Sequence, residues 1–218
     1  MRLDALDADG RLTESGETMR RIALPVRLSH MVAEASKTGE SRAAAQIAVL
    51  LTERGLGGND VDIDLRWSKF RNDHASNAAR GLASKIAASV GGNEAGTGSV
   101  SAAALLLHAF PDRIAKARGK PGQFLLANGS GAELDPTHHL AAKPWLVVAD
   151  MQGSAERMRI TSAAEVDETT ILSAIPSILQ TSEECLFDMT RRSLRRRRLT
   201  RIGSIVVSEQ TMPPPSGD

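Results

Sequence analysis

The sequence predicts an α+β protein, an N-terminal helical bundle followed by a five-stranded β-barrel. Apolar residues recur at helical spacing up to about residue 118, then in short β-type runs split by turns. The two patterns meet in the stretch from His108 to Leu134. It carries Arg113, Lys116, Arg118 and Lys120 into Pro121-Gly122, where no helix continues. Downstream come strands, one helix and two further strands, the order of a small barrel of the oligonucleotide/oligosaccharide-binding (OB) type.

In the helical half, the first segment ends in the turn dipeptide Asp9-Gly10. Thr13 is placed to cap a helix whose first turn holds Glu14 and Glu17. Pro25 stops that helix and opens the next. Its face Leu28, Met31, Val32 and Ala35 has i, i+3, i+4, i+7 spacing, and Gly39 suits its end. Ser41 reads as the cap of a third helix with Ile47, Leu50 and Leu51 inward and Gly55 at its end. After a loop to Asp60, Ile63, Trp67 and Phe70 mark a fourth face. Ser76 reads as the cap of a fifth helix, with a stripe of Ala79, Leu82, Ala83, Ile86 and Val90. Residues 91–98 read as a polar link, and Ser99 as the start of a last apolar helix through Val100, Ala103, Ala104 and Leu107. Short helices on short links make a compact bundle.

In the β half, Pro111 suits the first position of a short helix, where its missing N–H is no loss. Residues 123–128 read as a strand, with Asn128-Gly129 as a two-residue hairpin turn and a short partner near 132–134. Residues 145–150 form an apolar run suited to a central strand. Residues 156–163 alternate, Met158 and Ile160 opposite Arg157, Arg159 and Thr161. Asp167 is placed to cap a helix carrying Ile171, Leu172, Ile175 and Leu179, which Pro176 kinks or shortens. Residues 184–188 and 194–208 read as the last two strands, and the tail from Met212 has linker composition.

A chain of 218 residues buries a proper core in one or two domains, and its formal net charge is only +1. No strong overall field draws it to nucleic acid, so any attraction must come from local clustering. Aromatics make up 3% of the chain, which limits base stacking; Trp67, Phe70, Phe124 and Trp145 are read first as core residues. Cys185 is alone, which excludes an internal disulfide and suits a reducing compartment. No apolar run approaches the ~20 residues of a bilayer span, and the N-terminus lacks signal-peptide features. A cytoplasmic protein is expected.

Catalytic signatures are absent from the sequence. It contains neither a GxxxxGK[ST] phosphate loop nor a DEAH stretch, so the chain alone is not expected to hydrolyse ATP. His138-His139 lack a third ligand at metal spacing, and Ser130 lacks the GxSxG surroundings of a nucleophile elbow. Neither a catalytic residue nor a metal site is expected.

One chemical feature rises above background: Arg191, Arg192, Arg195, Arg196, Arg197, Arg198 and Arg201, with no acid between the first and the last. Guanidinium groups pair bidentately with phosphate oxygens. On a strand Arg196 and Arg198 share one side, Arg195 and Arg197 the other, so one groove takes only one set. The candidate nucleic-acid-binding residues are therefore Arg192, Arg195, Arg196, Arg197, Arg198 and Arg201, together with Arg113, Lys116, Arg118 and Lys120. The alternative is an edge strand kept soluble by its charges, or paired with Glu156, Glu183, Glu184 and Asp188.

Three blocks also resemble a known family. FPDRIAKARG, FLLANGSGAELD and WLVVAD are similar to the C-terminal region of bacterial DEAH-box ATP-dependent RNA helicases of the HrpB type. LDALDADGRLTESGETMRRIALPVRLSHMV resembles that family's helicase-associated segment, and RRRRLTRIGSIVVSEQ the end of its OB fold. The blocks stand in family order and cover most of the chain. The resemblance implies a winged-helix remnant over 1–24 and a helical ratchet domain lining an RNA channel over 25–118. It further implies an OB-fold domain over 119–209 and a linker over 210–218, beyond which the resembled proteins continue, so the chain looks truncated. The implied partner is single-stranded RNA, with DNA as a competitor, gripped for motor domains in cis that bind ATP and magnesium. No cofactor is expected in this chain. The rival expectation is a protein-interaction module that docks on motor domains or a partner and touches no RNA.

Overall fold

A computed structural model describes residues 5–91, 100–154, 157–189 and 193–213, with seven α-helices and eight strands among them. Helix α1 (Glu14–Arg20) is capped by Thr13, whose hydroxyl accepts the Gly16 N–H at 3.0 Å. Helix α2 (Val26–Lys37) starts directly after Pro25 and buries Leu28, Met31, Val32 and Ala35, as their spacing requires. Helix α3 (Ser41–Thr52) has Glu40, not Ser41, in the cap position. Helix α4 (Ile63–Asn72) is capped by Asp62, which accepts from the Asp64 and Leu65 N–H groups. In α5 (Asn77–Ser89) the packed stripe is Ala79, Ala83, Ile86 and Ala87, with Val90 just past its end, and of the expected stripe only Leu82, 43% exposed, is not inward. Helix α6 (Ala102–Ala109), capped by Ser101, is buried almost all round where the bundle meets the barrel. The expected link over 92–98 and the expected start at Ser99 lie outside the described residues. None of the helices among the described residues is long and apolar enough to cross a membrane.

Five strands then close a barrel: β1 (Ile114–Ala117), β2 (Gln123–Leu126), β3 (Gly131–Glu133), β4 (Trp145–Ser154) and β5 (Arg157–Glu165). They are hydrogen-bonded in the order β1-β2-β3-β5-β4 and back to β1, with β3 and β5 parallel and the other pairs antiparallel. This is the OB strand order, so the predicted class, α+β with an OB-like barrel, holds. Phe124, Leu126, Leu146, Val148 and Ile160 fill the inside. Strand β4 is buried on both faces, since Trp145, Val147 and Ala149 join the core shared with the helices. That double burial is why it reads as an unbroken apolar run. The β2–β3 turn is one residue longer than Asn128-Gly129 suggests. The Leu126 carbonyl accepts from the Gly129 N–H at 2.8 Å, the Leu126 N–H donates to the Ser130 carbonyl at 2.9 Å, and Gly129 takes the left-handed φ of +90°.

Two features depart from the reading by pattern. Strand β1 lies in the basic connector, ahead of residue 119, where no strand was expected. The strands after α7 (Glu168–Ala174), read as barrel members, are not in the barrel. Helix α7 is capped by Asp167 and shortened by Pro176 as expected. Beyond it β6 (Gln180–Asp188), β7 (Ser193–Ile202) and β8 (Ile205–Met212) form a separate antiparallel sheet. The physical reason is in β7: arginines at four successive positions leave it no apolar face for a barrel interior.

Residues 194–208, read as one strand, turn back at Gly203-Ser204. Gly203 has φ +52°, and a Cβ there would stand 2.1 Å from the Ala127 carbonyl oxygen. The Ser204 N–H donates to that same carbonyl at 2.9 Å. At this end the sheet is seated on the barrel through buried Ile202, Ile205 and Val207. Its far end carries Leu186, Phe187, Met189 and Leu194, all exposed.

Candidate nucleic-acid interface

The two halves of the basic connector have different environments. Arg113 Nη1 donates to the Ala149 carbonyl at 2.8 Å and its guanidinium lies 5.1 Å from the Phe110 ring centroid. Lys116 Nζ donates to the Val206 carbonyl at 2.7 Å and lies 4.9 Å from the Trp145 ring centroid. Both head groups therefore hold elements together: Arg113 fastens the start of β1 to β4, and Lys116 fastens β1 to β8. Next to them Asp112 accepts from Arg27 of α2 at 2.5 and 3.1 Å. Burial opposes ionisation of Asp112, but the bond and charge of Arg27 outweigh it and hold the carboxyl below its usual range.

Arg118 and Lys120 are exposed in the β1–β2 loop, and neither is in an ion pair among the described residues. The Arg118 guanidinium lies across β3, with Nη2 2.9 Å from where a Cβ on Gly131 would stand. Register sets Gln123, Glu133 and Arg159 abreast on β2, β3 and β5, all three exposed. The next row, Phe124, Ala132 and Met158, packs inward. Arg157 points outward like Arg159 and reaches Glu133 at 3.4 Å, with both side chains largely in solvent. A cavity of about 560 Å³ opens between Glu133, Asp135, Gln152, Arg157 and Arg159.

One outer face of the barrel therefore collects Arg118 from the loop with Arg157 and Arg159 from β5, and Lys120 is exposed two residues further along the same loop. Arg157 and Arg159 were not among the sequence candidates. The signal was nonetheless there, in the alternation that sets them opposite Met158 and Ile160.

The arginine run has a different surrounding. Glu183 faces Arg198 across β6 and β7, and Glu184 faces Arg197. Glu183 takes both Arg196, at 2.5 Å, and Arg198, at 2.9 Å. On the opposite face Arg197 meets Glu184 at 2.7 Å and Glu209 at 3.2 Å, while Arg201 meets Glu184 at 3.2 Å. Hydrogen bonds from Arg198 and Arg196 hold the Glu183 carboxyl below its usual range, and Arg197, with Arg201, does the same for Glu184. The run is a ladder of ion pairs and not a bare cationic strip. Arg195 is exposed on the Arg197 side; Arg192, Glu156 and the side chain of Asp188 lie outside the described residues.

No protein-family model matches the chain. It is 34% identical over 219 aligned positions to the ATP-dependent RNA helicase HrpB of Escherichia coli (strain K12), covering 99% of this chain and 26% of the relative. A solved structure of the E. coli DExH-box NTPase HrpB superposes with a TM-score of 0.80 at 32% identity. A second, of the E. coli DEAH/RHA helicase HrpB, gives 0.78 at 31%. Each covers 98% of this chain and 26% of the HrpB chain. The chain matches the C-terminal region of HrpB-type helicases.

It spans about a quarter of the length of the HrpB chains it matches. With 98% of the chain superposed, the HrpB likeness takes in the bundle, the barrel and the three-stranded sheet together. His138 and His139, a loop pair by sequence, help to join the first two of these. His138 Nε2 lies 3.1 Å from Asp60 Oδ1, and His139 Nε2 lies 2.8 Å from Asp62 Oδ2, the carboxylate that also caps α4. Among the described residues no three His, Cys, Asp or Glu side chains are grouped to hold a metal ion.

Proposed function

We propose that this chain is an accessory region of an ATP-dependent RNA helicase and grips single-stranded RNA for motor domains of the same protein. The observation that carries the reading is the outer β2–β3–β5 face of the barrel. There Arg118, Lys120 and Arg159 are exposed with no ion-pair partner among the described residues. Strands 2 and 3 and the β1–β2 and β4–β5 loops are the OB surface that takes oligonucleotides. The ligand class comes from the relative, an ATP-dependent RNA helicase by name.

Cations on a loop and a strand face meet phosphate oxygens and not base edges, so the grip is largely independent of sequence. The ladder on β7 supplies a second, weaker contact, because a phosphate must compete there with Glu183 and Glu184. ATP and magnesium belong to the motor domains, since this sequence has neither a phosphate loop nor a DEAH stretch.

Filter binding of a single-stranded RNA across a salt series tests the reading. Exchanging Arg118, Lys120 and Arg159 for glutamate weakens binding and lowers the log–log salt slope by ~0.7 for each lost phosphate contact. Exchanging Arg195 to Arg198 for glutamate acts in the same direction with a smaller change per residue. Unchanged affinity and slope in both variants would sink the proposal. Co-purification with separately expressed motor domains, without RNA binding, would replace it by a docking module.

A further inference from the structure

The chain has two tryptophans, four phenylalanines and no tyrosine. Five of these rings are buried: Trp67, Phe70, Phe110, Phe124 and Trp145. Phe187 is 56% exposed. It lies on β6 opposite Leu194 of β7; the next pairs on that face are Cys185 with Arg196 and Glu183 with Arg198. The one exposed phenylalanine or tryptophan among the described residues thus shares a face with two arginines of the ladder.

Alternation along the strands decides what kind of ligand this surface suits. Phe187 and Leu194 point to one side of the sheet and Leu186 to the other, each beside guanidinium groups. A docking patch for another protein would gather these apolar side chains on one surface; here they are split. On the Phe187 side Arg196 and Arg198 share the single carboxylate of Glu183 among the described residues. The other face holds Arg195, Arg197 and Arg201 with two carboxylates, Glu184 and Glu209, so what sets the Phe187 side apart is the exposed ring beside its arginines. A cavity of about 230 Å³ at this end of the sheet opens mainly on the Leu186 face, among Leu186, Arg195, Arg197, Glu209 and Thr211, with Phe187 and Arg196 at its edge.

We infer that Phe187 is a stacking platform for a base of single-stranded RNA whose phosphates meet Arg196 and Arg198, which rests on the RNA-gripping function proposed above. A flat exposed ring beside cations is the combination that holds a single strand without reading its sequence, because every base presents a π face. The hairpin end thereby adds a base contact to the backbone contacts made on the barrel.

The test is fluorescence anisotropy of the full chain with two probes of equal length, a single-stranded RNA and an abasic ribose-phosphate strand. Phe187→Ala weakens RNA binding roughly 5- to 100-fold and leaves the abasic strand unchanged, while Phe187→Trp keeps RNA binding. Arg196→Gln combined with Arg198→Gln weakens both probes. If Phe187→Ala leaves RNA affinity intact while the arginine variant weakens both probes, stacking is refuted and the backbone grip stands. Equal losses on both probes in Phe187→Ala also refute stacking. If the unaltered chain binds neither probe, the RNA-gripping function itself falls.

Discussion

The barrel and the three-stranded sheet treat their charges in opposite ways. The barrel closes on itself, fills its inside with Phe124, Leu126 and Leu146, and leaves Arg118, Lys120 and Arg159 exposed and outside any ion pair among the described residues. The sheet stays open, buries apolar side chains mainly where its β7–β8 turn meets the barrel, and ties Arg196, Arg197, Arg198 and Arg201 to glutamates of neighbouring strands. Density of arginine along a sequence is therefore not density of available charge. The residue across the strand decides, and it comes from a distant part of the chain.

The contrast is broken or sharpened most strongly by two phenylalanines. Phe124→Ala removes a ring from the barrel interior and costs about 3–5 kcal/mol, whereas Phe187→Ala removes an exposed ring and stays within about 0.5 kcal/mol. Urea unfolding followed by circular dichroism measures both, and equal losses would mean that the sheet end is covered in solution.

Next in size is Gly203→Ala, which sets a Cβ at φ +52° against the Ala127 carbonyl. The expected cost is about 1–3 kcal/mol, with amide exchange accelerated in β7 and β8 and little changed in β1 to β5. Uniform acceleration throughout would show that barrel and sheet unfold as one unit.

A smaller effect is expected from Glu183→Gln. Freeing Arg196 and Arg198 raises the salt slope of RNA binding by up to ~0.7 per new phosphate contact. No change in slope would mean that the ladder, even without its carboxylate, does not meet the strand.

The smallest effect concerns pH. Glu183 and Glu184 ionise more readily folded than unfolded, because arginines donate to their charged forms. Their contribution is present above the ordinary carboxylate pKa and is lost as pH falls through the lowered folded values. The melting-temperature gap between the chain and a variant with both glutamates changed to glutamine should be open at pH 7 and close below about pH 4. A gap that persists in acid would point to packing rather than charge.

Local signals were legible where the partner is local. Thr13 and Asp167 cap their helices because a cap needs only the next three residues. Pro25 and Pro176 bound helices for the same reason. Lys120 and Arg118 were legible as part of a basic run, but the run did not show that Arg113 and Lys116 spend their donors on carbonyls of β4 and β8. Leu82 shows the limit of periodicity: Ala79, Ala83, Ile86 and Val90 pack inward as their spacing requires, but Leu82 at the edge of the stripe turns outward, and only the packing of α5 on α3 reveals it.

From composition and spacing came a helical half, a β half, most element ends and the absence of a phosphate loop, while the likeness to HrpB-type helicases came from the resemblance of whole sequence blocks. Three-dimensional pairing alone decided which strands close the barrel, which arginines enter ion pairs with Glu183, Glu184 and Glu209, and that Phe187 is exposed. The physical reason is range. Helix periodicity and capping act over a few residues, whereas Lys116 meets Val206 and Arg197 meets Glu209 through strand pairings that no local pattern specifies.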